Sequence, residues 1–191
     1  MKRIWFFLCF GLILAGCALS PQTVMIDPDF VMDQKFAGKK TASLGIEVID
    51  SRQGEVVGNR GGVYKSSSHI STKGDITGPI QQRLSRAYGD IGYQVITGGD
   101  KADARLQVEI ADLKYTAFGE NIVRSIETSA EIRFICQKGS KTFTGSYQGS
   151  RKQDVIKAPT DDENERLING ALVTVFQKML EDRELLAFID G

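Results

Sequence analysis

The chain has 191 residues, 41% of them hydrophobic and 25% charged, with 24 lysines and arginines balanced by 24 aspartates and glutamates. That is the size and composition of one packed domain, and it excludes a chain that is disordered throughout. With the charges balanced, nothing in the sequence resembles the concentrated basic footprint of nucleic-acid binding, so no nucleic acid is expected as a partner.

Met1-Lys2-Arg3 gives a positive start, and the run from Ile4 to Ala15 is apolar throughout. A membrane-spanning helix needs about 20 apolar residues, whereas the apolar segment of a secretory signal needs roughly 7–15, so the run fits a signal peptide. Leu14-Ala15-Gly16-Cys17 closes it and has the form of a lipobox, the site read by the lipoprotein signal peptidase. The residue types suit that chemistry. Cys17 supplies a thiol for a diacylglyceryl group, and Ala15 and Gly16 are small enough to expose the bond before it. Residues 1–16 are therefore expected to be cleaved, and the mature protein to be held on a membrane by lipid at Cys17. Each buried methylene of a palmitate-like chain contributes about 0.8 kcal/mol, so two or three chains anchor a protein without a transmembrane helix. Ala18 follows the cysteine, where enterobacterial lipoproteins retained in the inner membrane carry Asp. The expected address is thus the periplasmic face of the outer membrane, with the inner membrane as the alternative.

With Cys9 in the signal and Cys17 lipidated, Cys136 stands alone in the mature chain and makes no internal disulfide. It is expected to be a small buried hydrophobe rather than a reactive thiol.

Residues 17–43 carry Pro21 and Pro28 and show no sustained period, so they read as the lipidated N-terminus and a tether. Val24, Ile26 and Phe30 are the residues of this stretch suited to dock as a short edge segment. The domain is expected over residues 44–191. Leu44, Ile46 and Val48 begin a central strand that ends at Asp50-Ser51-Arg52. Residues 54–74, with Gly58, Gly61 and Gly62 around Asn59-Arg60, read as an irregular hairpin or loop. Gly61-Gly62 leads into Val63-Tyr64, not into the Lys-Ser/Thr and helix that a phosphate loop requires.

Asp75 is a candidate N-cap, and Ile76, Ile80, Leu84, Ala87, Tyr88 and Ile91 recur at helical spacing, with Pro79 in the first turn. A short strand at 93–96 ends at Thr97-Gly98-Gly99-Asp100. Ala104, Leu106, Val108 and Ile110 alternate, and the shift in parity to Leu113 and Tyr115 predicts a β-bulge near Ala111-Asp112. Beyond a turn at Gly119-Glu120-Asn121, Ile126 to Cys136 alternate as a returning strand. Phe143, Gly145 and Tyr147 make a third, before a polar stretch over 148–157. Thr160 and Glu163 have capping-box spacing ahead of an apolar helical stripe from Leu167 to Leu180, and Leu185, Leu186, Phe188 and Ile189 form a short terminal helix. The fold class expected is α+β, a mostly antiparallel sheet with two main helices packed on one face.

Several of these segments carry a resemblance. Leu14-Ala15-Gly16-Cys17-Ala18, Leu44-Gly45-Ile46-Glu47-Val48 with Asp50 and Arg52, Ala130-Glu131-Ile132-Arg133, and Gln137-Lys138-Gly139 leading to Tyr147 resemble the YajG family of uncharacterised bacterial lipoproteins. The resemblance covers most of the chain and includes the Phe188-Ile189 ending. It implies a lipoprotein and supplies no catalytic residues to transfer.

Nothing else in the sequence assembles a catalytic constellation, and neither cofactor nor metal is expected. The one histidine, His69, lies in the serine-rich run SSSHIS and is expected to be solvated. No HExxH, GxSxG or cysteine pair occurs. Asp161, Asp162 and Glu163 are explained by the start of a helix, and Glu109, Asp112, Glu127 and Glu131 by a solvated sheet face. The sequence therefore points away from an enzyme. It points toward a tethered binding or scaffold module for an envelope protein or for peptidoglycan, acting through the open sheet face or the 54–74 loop. An enzyme or small-ligand carrier acting on a periplasmic glycan or lipid is the alternative.

Overall fold

Alternation of apolar and polar residues builds the middle of the sheet. In a computed structural model, which describes residues 19–61, 67–96, 101–119 and 124–191, β6 (Ala104–Phe118), β7 (Arg124–Lys138) and β8 (Lys141–Val155) form an antiparallel meander. Ile126, Thr128, Ala130, Ile132, Phe134 and Cys136 of β7 are all buried on one face, and the residues between them face the other. The parity shift in β6 is a bulge. Ile110 pairs with Ile132 while Asp112 pairs with Glu131, so the extra residue brings Leu113 and Tyr115 back to the buried face.

β8 runs on to Val155, beyond Tyr147 where the sequence pattern ends it. Its second half lacks apolar alternation because backbone, not side chains, meets the helix there. A Cβ on Gly149 would lie 2.9 Å from Thr174 Cγ2 and 3.1 Å from Val175 Cγ1.

The other edge of β6 forks. Its first half pairs in parallel with β2 (Ser43–Asp50), which pairs in parallel with β5 (Gln94–Ile96). Its second half pairs in parallel with β3 (Val56–Asn59), which leads through antiparallel β4 (His69–Thr72) to β1 (Gln22–Val24), parallel to β4. The 8-stranded sheet is thus mixed, with most of its paired residues in the antiparallel β6–β7–β8 meander, and the fold is a single α+β domain as expected. The 54–74 stretch is largely the β3–β4 hairpin; Gly62, Val63 and Tyr64 lie outside the described residues, as do Thr97–Asp100 and Glu120-Asn121.

β3 can reach β6 only because residue 58 has no side chain. A Cβ on Gly58 would lie 1.9 Å from the Tyr115 carbonyl oxygen. Gly58→Val is therefore expected to destabilise the fold by about 3 kcal/mol, since two paired backbones must part. Gly54→Ala, which meets nothing within 4 Å, is expected to stay within about 0.5 kcal/mol. Urea unfolding midpoints of the two variants test the contrast.

The helices cover one face. α1 (Thr77–Asp90) starts under Asp75, whose carboxylate accepts from Thr77 N at 2.8 Å and Gly78 N at 3.1 Å, satisfying amides that the first turn leaves open. It buries Ile80, Leu84, Ala87 and Tyr88, and the chain turns out of it through Gly92 at φ +107. α2 (Asp161–Leu180) begins with the expected Thr160–Glu163 capping box and buries Ile168, Ala171, Leu172, Val175, Phe176 and Met179. α3 (Arg183–Asp190) packs back through Leu185, Leu186 and Ile189. No helix among the described residues is long and apolar enough to cross a membrane.

The stretch read as a tether over 17–43 is, from Gln22 onward, part of the domain. Val24, Ile26, Phe30 and Met32 are buried, and the Phe30 ring stacks on Phe176 at 4.8 Å. α2 supplies the hydrogen bonds that this extended segment lacks. Met25 N donates to Glu165, Asp27 N donates to Asn169 Oδ1 at 3.0 Å, and Asn169 Nδ2 donates back to Met25 O at 2.9 Å. A pattern of alternate burial next to a helix, with no strand neighbour for most of its length, has no periodicity signal distinct from a polar linker's.

Candidate functional site

The face of the sheet opposite the helices is open, and its charged residues pair along the register. Gln107 Nε2 donates to Glu47 at 3.1 Å, Arg133 meets Glu131 at 2.9 Å and Glu109 at 3.9 Å, and Gln148 Nε2 donates to Glu131 at 2.9 Å. Lys114 pairs with Asp112. Glu109, Asp112, Glu127 and Glu131 thus sit where the sequence placed them, on a solvated face, and three of them are engaged laterally. Pairs of this kind contribute at most about 1 kcal/mol, so they shape a polar surface more than they hold the fold. Among the described residues no group of three or more His, Cys, Asp or Glu could hold a metal ion.

β8 borders this face, and among the described residues no strand pairs with its outer edge. Thr142, Thr144, Ser146, Gln148 and Ser150 point to the open face and are exposed, in register with Gln137 through Ser129 of β7. Edge strands are ordinarily blunted by lysine, proline or a bulge. Between Thr142 and Ser150 this one has no charge, no proline and no register shift. Among the described residues, the side chain that caps it there is Lys178, which reaches across from α2 and donates to Gln148 O at 2.6 Å.

A second feature lies where β8 hands over to α2. Arg151 to Lys157, Pro159, Glu163, Arg166 and Leu167 line an open groove of about 1110 Å³. Ile156 on its rim is 80% exposed. The acidic side chains of the groove are already occupied: Asp154 accepts from Ser125, and Glu163 accepts from Thr160 N and Oγ1, contacts that hold its carboxyl below the usual range. Arg151, Lys152, Lys157 and Arg166 outnumber these two carboxylates in the lining, so the groove is cationic on balance, with Lys157 and Arg166 close enough to Glu163 to help hold its carboxyl down.

Beside the groove is a buried polar knot that sequence reasoning passed over. Arg60, 9% exposed, donates from Nη1 to Ser20 O and from Nη2 to Pro159 O, both at 2.9 Å. Gln22 Nε2 adds a bond to Pro159 O at 3.3 Å, and Asn164 of α2 donates to Gln22. One guanidinium thus ties the N-terminal segment, the β3–β4 hairpin and the turn into α2. The only hint in the sequence is an arginine among glycines in a loop.

The residues singled out from the sequence fall in separate places. Leu14, Ala15, Gly16 and Cys17 lie outside the described residues. Cys136 is fully buried in β7 as expected, and burial pushes its thiol up to about 11, so little thiolate forms at neutral pH. His69 is not in a solvated loop but on β4, half-buried and opposite Asn59, because the serine run before it ends in a strand. Asp161, Asp162 and Glu163 form the first turn of α2.

Comparison with known proteins gives relatives and a shared fold. The curated lipoprotein YajG of Escherichia coli K12, described as uncharacterised, is 23% identical over 192 residues, spanning 98% of this chain and 96% of that protein. Its counterpart in Escherichia coli O6:H1 matches equally. Among solved structures, a putative neuraminyllactose-binding hemagglutinin homolog from Helicobacter pylori superposes with a TM-score of 0.50 at 11% identity, covering 80% of this chain and 92% of that one; it shares the fold. The family described as uncharacterized lipoprotein matches residues 31–190, and the chain belongs to that family.

Proposed function

We propose that this lipoprotein is a binding or scaffold module of the cell envelope, anchored through lipid on Cys17 at the periplasmic face of the outer membrane. Its partner in this reading is an envelope protein that adds a strand to the β8 edge and rests on the open sheet face; peptidoglycan is the other candidate for that face. The observation that carries the proposal is the edge from Thr142 to Tyr147, open up to the point where Lys178 caps Gln148 O. A long, regular, uncharged edge invites strand addition, in which main-chain hydrogen bonds supply affinity and alternate side chains supply specificity. Thr144, Ser146 and Gln148 are the side chains placed to read such a partner. The absence of any motif for hydrolysis in the sequence, and the lateral pairing of the sheet's carboxylates, favour binding over catalysis. The outer membrane follows from Ala18 in place of the Asp that marks retention.

The test is site-specific photo-crosslinking in cells. A photo-reactive residue at Ser146 is expected to capture one envelope protein as a discrete band, and the same residue at the exposed Lys73 is expected to capture none. Adding Thr144→Lys should abolish the band while leaving the melting temperature unchanged. A Ser146 probe that captures no protein, or the same smear as Lys73, sinks the edge-docking reading.

A further inference from the structure

We propose that the groove between the end of β8 and the start of α2 lies against the membrane that carries the anchor and binds its anionic phospholipid headgroups. The inference rests on the reading that Cys17 is the anchored residue, and goes beyond it by fixing which end of the domain meets the lipid.

The argument begins with chain length. Ser20 stands only three residues after Cys17, a separation that spans about 11 Å when fully extended. Ser20 is not free to wander, because the Arg60 guanidinium holds its carbonyl together with that of Pro159, a residue of the groove. Gln22, also bonded to Pro159 O, begins β1, from which the chain runs on into the core. No long tether therefore stands between anchor and domain. The headgroup zone of one leaflet is itself roughly 5–7 Å deep, so an anchor this short brings the groove into contact with it.

The chemistry of the groove matches that surface. Arg151, Lys152, Lys157 and Arg166 present four cations to it against two carboxylates, Asp154 and Glu163, which leaves the lining cationic on balance. Asp161, Asp162 and Glu165, the nearest other carboxylates in sequence, are not part of its lining; the two aspartates lie in the first turn of α2, at the positive end of its dipole, and Glu165 accepts from Met25 N. Ile156, the most exposed large hydrophobic side chain described, stands on the rim among these cations. An apolar tip ringed by arginine and lysine is the pattern of an interfacial contact, with the tip among acyl chains and the cations among phosphates. The opposite end of the domain, where β7 turns into β8 at Lys138–Lys141, lies about 45 Å away along β8 at roughly 3.3 Å per residue. In this orientation that end points into the periplasm, and the β8 edge stands upright from the membrane.

Trp5 is the only tryptophan and lies in the signal, so the chain from Cys17 onward has none. That chain retains the whole hydrophobic core, which extends from Val24 to Ile189. Ile156→Trp and Lys141→Trp thus give single fluorescent probes at the two ends, both at exposed positions. Coupling the Cys17 thiol to a maleimide-bearing lipid places the protein on vesicles whether or not cells lipidate it, and buried Cys136 does not compete. The vesicles contain equal parts phosphatidylglycerol and phosphatidylcholine with brominated acyl chains. On them the indole of the Ile156→Trp variant is expected to shift to the blue and be quenched, while that of the Lys141→Trp variant does neither. Both effects should be lost on adding Arg151→Glu and Lys157→Glu, and weakened on pure phosphatidylcholine. Equal behaviour of the two variants overturns the orientation, and quenching of the Ile156→Trp variant that ignores phosphatidylglycerol overturns headgroup recognition. A groove reserved for a protein would leave the Ile156→Trp variant unquenched, which also overturns the proposal. Failure of lipidation in cells, together with quenching of the Ile156→Trp variant on vesicles, would count against the anchor alone.

Discussion

Cys17→Ser is expected to leave an unprocessed precursor that retains residues 1–16 and incorporates no labelled palmitate, because the thiol proposed to carry the diacylglyceryl group is gone and serine's hydroxyl does not replace it. The mature size on a denaturing gel and the radiolabel report the two losses independently. Energetically this is the largest effect any single substitution should have on the protein. At about 0.8 kcal/mol per buried methylene, even one acyl chain gives only marginal binding, while the multiple chains of a lipoprotein cysteine hold firmly. Ala18→Asp is the companion variant. It should be processed and lipidated normally but fractionate with the inner membrane, and its unchanged presence in the outer membrane would remove the basis of that address. Normal size and labelling of Cys17→Ser would remove the anchor itself.

Phe176→Ala is expected to cost about 3–5 kcal/mol of stability, a large share of what a domain of this size possesses. Phe176 is fully buried on α2 and lies at the centre of the contact with the N-terminal segment, where its ring stacks on Phe30. Part of the loss should therefore appear as loosening of residues 22–32, read as faster amide hydrogen exchange there than in β7. The pair also permits a sharper measurement. If the rings contact as described, Phe30→Ala and Phe176→Ala together should cost less than the sum of the two by about 0.5–1.5 kcal/mol, the usual value of an aromatic pair beyond its area. Strict additivity would mean that the two rings do not interact, and a Phe30→Ala variant as stable as the original would mean that the N-terminal segment is a tether after all. The second result would lengthen the reach of the anchor and weaken the case for a membrane-facing groove, so this stability measurement bears directly on function.

The two proposed surfaces lie at different places on the domain. If Cys17 carries the proposed anchor, the short N-terminal connection and the Arg60 knot hold one end of the sheet near it, whereas the β8 edge runs away from it. A partner that adds a strand there would be aligned with the membrane normal, and contact of the groove with headgroups would keep it so.

Strand alternation, the bulge, the capping box and both main helices were legible in the sequence because each is a local rule. Ile126 through Cys136 repeat with the two-residue period of a half-buried strand, the parity shift at Ile110 to Leu113 allows one extra residue, and Thr160 with Glu163 states a helix start within four positions. The lipobox is equally local, and with it the family resemblance. By itself, then, the sequence determined the meander strands, the main helices, the fold class and the expected anchor, but not β1 or the β3–β4 pairing. Only the tertiary structure decided the parallel pairing of β2 and β3 with β6, the length of β8, the docking of residues 22–32 and the cationic groove. The physical reason is common to all four. Gly58 against Tyr115, Gly149 against α2, Asn169 against Met25 and Arg60 between Ser20 and Pro159 are contacts between residues far apart in the chain, where a missing side chain or one buried hydrogen-bonding group decides the approach. Such contacts leave no period in the sequence, and both candidate surfaces are made of them.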